Sequence, residues 1–175
     1  MLDWNEIDND KKLQRLVNDL FNFELGRPGY IPSSPYIGKD GGWDGRFTDS
    51  YLGLRGVSCV QSKWTSHDFE KAYRSLREDV KRELIKAKRN KVNNLFIATN
   101  AELRVGTEDH IGKLEQLNSD EVNNLFIYHR EKLNLLIDRY PWLKHKYFRV
   151  PQHPLFAPYS NYLEESEQNL CKIRT

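Results

Sequence analysis

Much is missing from this 175-residue chain, and each gap removes a class of function. It has two cysteines, Cys59 and Cys171, which form no metal-spacing pair, and Cys59 falls in an expected core strand. Both read as reduced thiols of a cytoplasmic protein. Glycine and proline, at 10 and 7 residues, are too sparse for a fibrous or low-complexity chain. No apolar run approaches the roughly 20 residues of a membrane helix. The opening Met1-Leu2-Asp3-Trp4-Asn5-Glu6 is acidic and lacks the apolar stretch of a signal peptide. The net charge of +2 announces neither a polybasic nor a polyacidic partner. There is no Gly-x-x-x-x-Gly-Lys-Ser/Thr loop, no Gly-x-Gly-x-x-Gly fingerprint and no His-Glu-x-x-His pair. His67, His110, His129, His145 and His153 show no ligand spacing.

What is present is a globular composition, 38% hydrophobic and 30% charged, of a length that suits one domain. Leu13, Leu16, Val17, Leu20 and Phe21 recur at helical spacing, so residues 10–25 read as an amphipathic helix stopped by Gly26 and Pro28. Residues 27–42 read as loop. A long helix is expected over 67–90, burying Phe69, Ala72, Tyr73, Leu76, Val80, Leu84 and Ala87, with Thr65 and Asp68 resembling a capping box. Basic charge concentrates between Lys71 and Lys91. This is an ordinary solvated face or a phosphate-tracking surface, with Arg46, Arg74, Arg77 and Lys81 as candidate DNA contacts.

A six-residue run, Val92-Asn93-Asn94-Leu95-Phe96-Ile97, recurs as Val122-Asn123-Asn124-Leu125-Phe126-Ile127. A short helix over 108–117 separates the two, which predicts parallel strands joined by a right-handed crossover. Residues 130–148 read as one or two helices broken at Pro141. From 149 to 175 the prolines and tyrosines suggest an extended segment, or a linker to a following domain, after a domain spanning 1–148.

The chemistry concentrates between Gly38 and Trp64. Gly38-Lys39-Asp40-Gly41-Gly42-Trp43-Asp44-Gly45 is a glycine-rich turn carrying an acid; Val57-Ser58-Cys59-Val60-Gln61-Ser62-Lys63-Trp64 is an apolar run ending in a polar-x-lysine triplet. In a strand, Cys59, Gln61 and Lys63 share one face. A hairpin would bring Asp44 beside them. Asp-Gly is also a common turn dipeptide, and Asp40 reads as a turn former.

The pair of motifs resembles the PD-(D/E)xK nuclease superfamily. It is similar to the Mrr-like branch with Gln-x-Lys in place of Glu-x-Lys, and to nuclease domains fused to STAND-type ATPases in bacterial antiviral defence. The resemblance runs from about Leu13 to Tyr147. It implies an α/β fold of the restriction endonuclease type, with a central mixed sheet of about five strands flanked by helices. It implies an endodeoxyribonuclease using Mg²⁺ or Mn²⁺ on DNA, with Asp44, Gln61 and Lys63 as catalytic groups. Asp44, Gln61 and the backbone carbonyl of Ser62 would be the metal ligands. The family's first-helix glutamate falls on Gln14 here, leaving Glu24 as the nearest carboxylate. A neutral Gln61 implies weaker Mg²⁺ binding than a pair of acids. A duplex substrate implies a homodimer or larger oligomer, fused to or recruited by an ATPase or sensor domain. Two other readings stay open: a catalytically inactive nucleic-acid-binding module of the same fold, and a protein-interaction domain.

Overall fold

A computed structural model describes residues 2–24, 29–33, 42–47, 54–104 and 109–149. Asp40, the 150–175 segment and the Glu24 side chain lie outside the described residues.

The chain opens with a 3-10 turn, Trp4–Glu6, and helix α1, Asp10–Glu24. The apolar stripe read from its spacing is buried throughout: Leu13, Leu16, Val17, Leu20 and Phe21 are at most 1% exposed. Each such side chain contributes about 1.5–3 kcal/mol by leaving water. Strand β1, Tyr30–Pro32, follows within the stretch expected to be loop. Three residues with a proline on an edge strand give no periodic signal to read. Strand β2, Gly45–Phe47, and strand β3, Ser58–Lys63, form the anticipated antiparallel pair, with Gly45 opposite Val60.

Helix α2, Phe69–Arg89, leads to β4, Asn94–Thr99; α3, His110–Glu115, leads to β5, Asn124–Tyr128. The sheet order is β1-β2-β3-β4-β5, antiparallel up to β3 and parallel from β3 to β5. This is a five-stranded mixed sheet. The repeated hexapeptides lie side by side, Asn94 opposite Asn124 and Phe96 opposite Phe126. Their asparagines serve as a polar ladder: Asn124 Nδ2 donates to Asn94 Oδ1 at 2.7 Å, and Asn94 Nδ2 donates to Ser58 Oγ at 3.0 Å. Both strands begin two residues later than the repeats. Asn93 instead turns its main-chain oxygen to the N–H groups of Asn123 and Asn124. The chain then forms α4, Arg130–Ile137, and α5, Pro141–Tyr147. Pro141 starts α5, where its missing N–H has no helical partner to lose.

Two apolar clusters sandwich the sheet. One joins α1, α4 and α5 to Val60, Phe96 and Ala98. The other joins α2 and α3 to Cys59, Leu95 and Ile97. Alternation along β3 thus sends Val60 to one face and Cys59 to the other. The expected capping box at α2 is absent. Asp68 is the N-cap residue but makes no side-chain cap, and Thr65 Oγ1 accepts from the His67 N–H instead. Among the described residues no helix is long and apolar enough to cross a membrane.

Candidate active site

Asp44 ends the glycine-rich turn and β3 supplies its partners. The Asp44 N–H donates to the Val60 carbonyl at 3.0 Å, which extends the β2–β3 ladder by one residue and sets Asp44 beside Gln61. Gly42 has φ +71°, a conformation glycine enters without a Cβ penalty. The carboxylate then collects three donors on one oxygen. Oδ2 accepts from Gln61 Nε2 at 3.0 Å, from the Ser62 N–H at 2.6 Å and from the Ser62 hydroxyl.

All three donors are neutral. Burial pushes the Asp44 carboxyl above its ordinary pKa. The Ser62 hydrogen bonds and the Lys63 charge pull the other way, and the Glu83 charge adds to the rise. Among the described residues no cation touches this desolvated carboxylate, which makes it a ready ligand for one.

Lys63 follows on the same strand but turns elsewhere. Its ammonium lies 2.5 Å from Glu83 Oε1. The Glu83 side chain is 10% exposed and projects from α2 among Val80, Leu84 and Ala87. Its second oxygen, Oε2, accepts no hydrogen bond; the Lys86 ammonium stands 3.2 Å from it as an ion pair. Lys86 also reaches the Gly42 carbonyl at 2.5 Å and Gln61 Oε1 at 3.5 Å, over the Trp43 ring.

Asp44, Gln61 and Ser62 are therefore in contact, while the Lys63 ammonium, whose charge still acts on Asp44, is held by Glu83. Two members went unread in the sequence. Glu83 carried a signal, being a carboxylate inside the apolar stripe of α2. Lys86 carried none, because only the rotation of α2 against the sheet points it inward. Gln14, where the resemblance would place a first-helix glutamate, is 8% exposed and donates to the Ser33 carbonyl at 3.3 Å. It supports the turn from behind, since the Ser33 N–H donates to the Asp44 carbonyl at 2.8 Å. Glu24 closes the C-terminal end of α1.

The candidate DNA contacts divide. Arg46 is exposed two residues after Asp44, on the same face of β2. Arg74, Arg77 and Lys81 lie on the far side of α2. Arg74 is nine residues from Glu83, half a turn round at 100° per residue. Arg74 pairs with Glu70 at 3.4 Å and Lys81 with Glu78 at 2.8 Å. The fold does not bring these three to the site.

Among the described residues no three His, Cys, Asp or Glu side chains cluster as metal ligands. The oxygen donors that could hold a hard divalent ion are Asp44, Glu83, the Gln61 amide oxygen and main-chain carbonyls. Two carboxylates with neutral oxygens suit Mg²⁺ or Mn²⁺ better than a softer metal. No protein-family model matches the chain, and no curated protein matches it.

Proposed function

We propose that this protein is a metal-dependent nuclease that hydrolyses phosphodiester bonds of DNA. The observation that carries the reading is the contact of the Asp44 carboxylate with Gln61 and Ser62 where the antiparallel β2–β3 pair joins the parallel strands, with Lys63 next on β3 and paired to Glu83. The acid, the amide and the amine come from two motifs 17 residues apart, and the resemblance rests on those same motifs.

Asp44 and Gln61 would hold the metal, with Glu83 as a further carboxylate. When bound, a divalent ion neutralises phosphate charge and lowers the pKa of a water. Ser62 orients Asp44 through both its N–H and its hydroxyl. Lys63 supplies a positive charge beside the reacting phosphate and stabilises the charge that builds there. Glu83 keeps that ammonium in place until substrate arrives. Arg46, exposed on the same face of β2, meets the neighbouring phosphates. One such site cuts one strand, so duplex cleavage calls for two copies, as a homodimer or on a larger assembly driven by a sensor or ATPase. A role as an effector of antiviral defence follows from the resemblance.

Plasmid cleavage tests the reading. Supercoiled DNA with Mg²⁺ or Mn²⁺ should be cut by the wild-type chain. Asp44→Ala and Lys63→Ala should each lose about 10²–10⁴-fold. A second reading has its own support: both lysines are already held by Glu83, as in a nucleic-acid-binding module that does not cut. Silence of a forced dimer with either metal would favour that module.

A further inference from the structure

Glu83 is nine-tenths buried, yet one of its oxygens accepts no hydrogen bond. What that oxygen faces is the Lys86 ammonium at 3.2 Å. The same nitrogen lies 2.5 Å from the Gly42 carbonyl oxygen and 3.5 Å from Gln61 Oε1. A carboxylate, a main-chain carbonyl and a side-chain amide therefore surround one cationic atom. They come from three separate parts of the fold: α2, the turn before β2, and β3. The Trp43 ring floors the arrangement, its centre 3.9 Å from the nitrogen.

An ammonium is a poor fit to this cage. Its three protons keep a tetrahedral arrangement on a tethered nitrogen, and here it bonds the Gly42 carbonyl well, barely reaches the amide oxygen and leaves Glu83 Oε2 without a hydrogen bond. Hard oxygen donors with one carboxylate among them are what Mg²⁺ and Mn²⁺ take. The Gln61 amide agrees with this. It turns its Nε2 to Asp44 and its oxygen to Lys86, so the ligating atom already points into the cage. That orientation follows from the hydrogen-bond partners on its two sides.

We infer that the Lys86 ammonium holds the place of a divalent cation in the metal-free protein, and that metal enters by displacing it, with Gly42 O, Gln61 Oε1 and Glu83 as ligands beside Asp44. The inference rests on the metal-dependent reading above. The Lys86 side chain is 28% exposed, so its head can swing to solvent without unpacking α2. Once outside, it adds a positive charge next to Arg46 on the face where a phosphate backbone would lie. Metal and nucleic acid then help each other: metal ejects the ammonium and a phosphate keeps it out. By linkage each raises the affinity of the other.

The test uses the full chain without DNA. Lys86→Met keeps the stem over Trp43 and removes the competing charge. Mn²⁺ titrated by calorimetry, with unbound ion followed by electron paramagnetic resonance, should bind about tenfold or more tightly than to wild type. Glu83→Gln should weaken binding by a similar factor. Equal affinity for wild type and Lys86→Met overturns the inference, as does absence of binding to both at tens of millimolar. Should Lys86→Met fail to fold, the wild-type chain decides. The Lys86 side-chain amine resonance must shift in step with Mg²⁺ saturation, and an unmoved resonance at saturation overturns it. Displacement without plasmid cleavage would refute the hydrolysis and leave the cation site standing; cleavage with Lys86 unmoved would do the reverse.

Discussion

Replacing Gly45 with alanine would drive a methyl group into Tyr30. A Cβ at this position lies 2.6 Å from Tyr30 Cζ and 2.8 Å from Cε2, with the phenol oxygen closer still. Carbon atoms in contact prefer about 3.5–4.0 Å, so something must move by nearly an ångström. The ring has little room. Tyr30 is 6% exposed, its hydroxyl donates to Asn18 Oδ1, and its ring packs on Phe47 at 4.9 Å and Phe21 at 6.3 Å between centroids. Overpacking of this kind costs about 1–3 kcal/mol. For a chain of this size that is a fall of roughly 3–10 °C in Tm. The alternative, a shift of β2, moves Asp44 off Gln61 and Ser62, so Mn²⁺ binding should weaken together with stability. Tyr30→Phe removes only the nearest of the three atoms. In that background Gly45→Ala should therefore remain destabilising but cost less, with a coupling of about 0.5 kcal/mol or more that stays below the Gly45→Ala cost in a double-mutant cycle. Thermal unfolding by circular dichroism measures all four proteins. A Gly45→Ala chain as stable as wild type would refute the reasoning.

Asp44→Asn should stabilise the metal-free protein at neutral pH by about 1 kcal/mol, because a desolvated charge is removed. The sign follows from the direction of the shift: the folded pKa of Asp44 lies above its unfolded value, so wild-type stability is fully present below the unfolded pKa and is lost as pH rises through the folded one. The gap between the two proteins should close as pH falls into the carboxylate range, and a gap independent of pH would contradict the assignment. Gln61→Glu should bind Mg²⁺ more tightly than wild type in calorimetry while lowering the Tm of the metal-free chain, since a second acid then faces Asp44. Phe96→Ala should cost about 3–5 kcal/mol in denaturant unfolding, as its ring is 1% exposed and contacts Phe21, Phe47, Phe126 and Tyr128. Substituting Arg46 should weaken duplex binding and flatten its salt dependence, whereas Arg74→Ala, on the far side of α2, should change neither.

Local physics made much of this protein readable from its residues. The stripe of α1 is periodic because one face of a helix must leave water, and all five of its predicted members are buried. The repeated hexapeptides announced strands because short apolar runs bounded by polar residues have few other uses, and the helix between them required a parallel pairing. Asp44, Gln61 and Lys63 could be joined on paper because β2 and β3 are neighbours in sequence, so a near-local pairing brings them together. Strand β1 escaped notice, being too short and too proline-broken for any period to show.

The remainder needed the packed molecule. Spacing alone puts Lys63 beside Asp44, but only the placement of α2 shows its ammonium on Glu83 instead. That placement depends on how Ala72, Leu76, Val80, Leu84 and Ala87 settle onto Cys59, Leu95 and Ile97. No residue near Asp44 in the sequence carries this information. The sequence by itself determined the elements other than β1, their order and the two motifs, because those follow from periodicity and short-range pairing. Tertiary structure alone decided the charge balance of the site, because the angle of one helix against the sheet determines which of its many charges, Glu83 and Lys86 rather than Arg74 and Lys81, face inward.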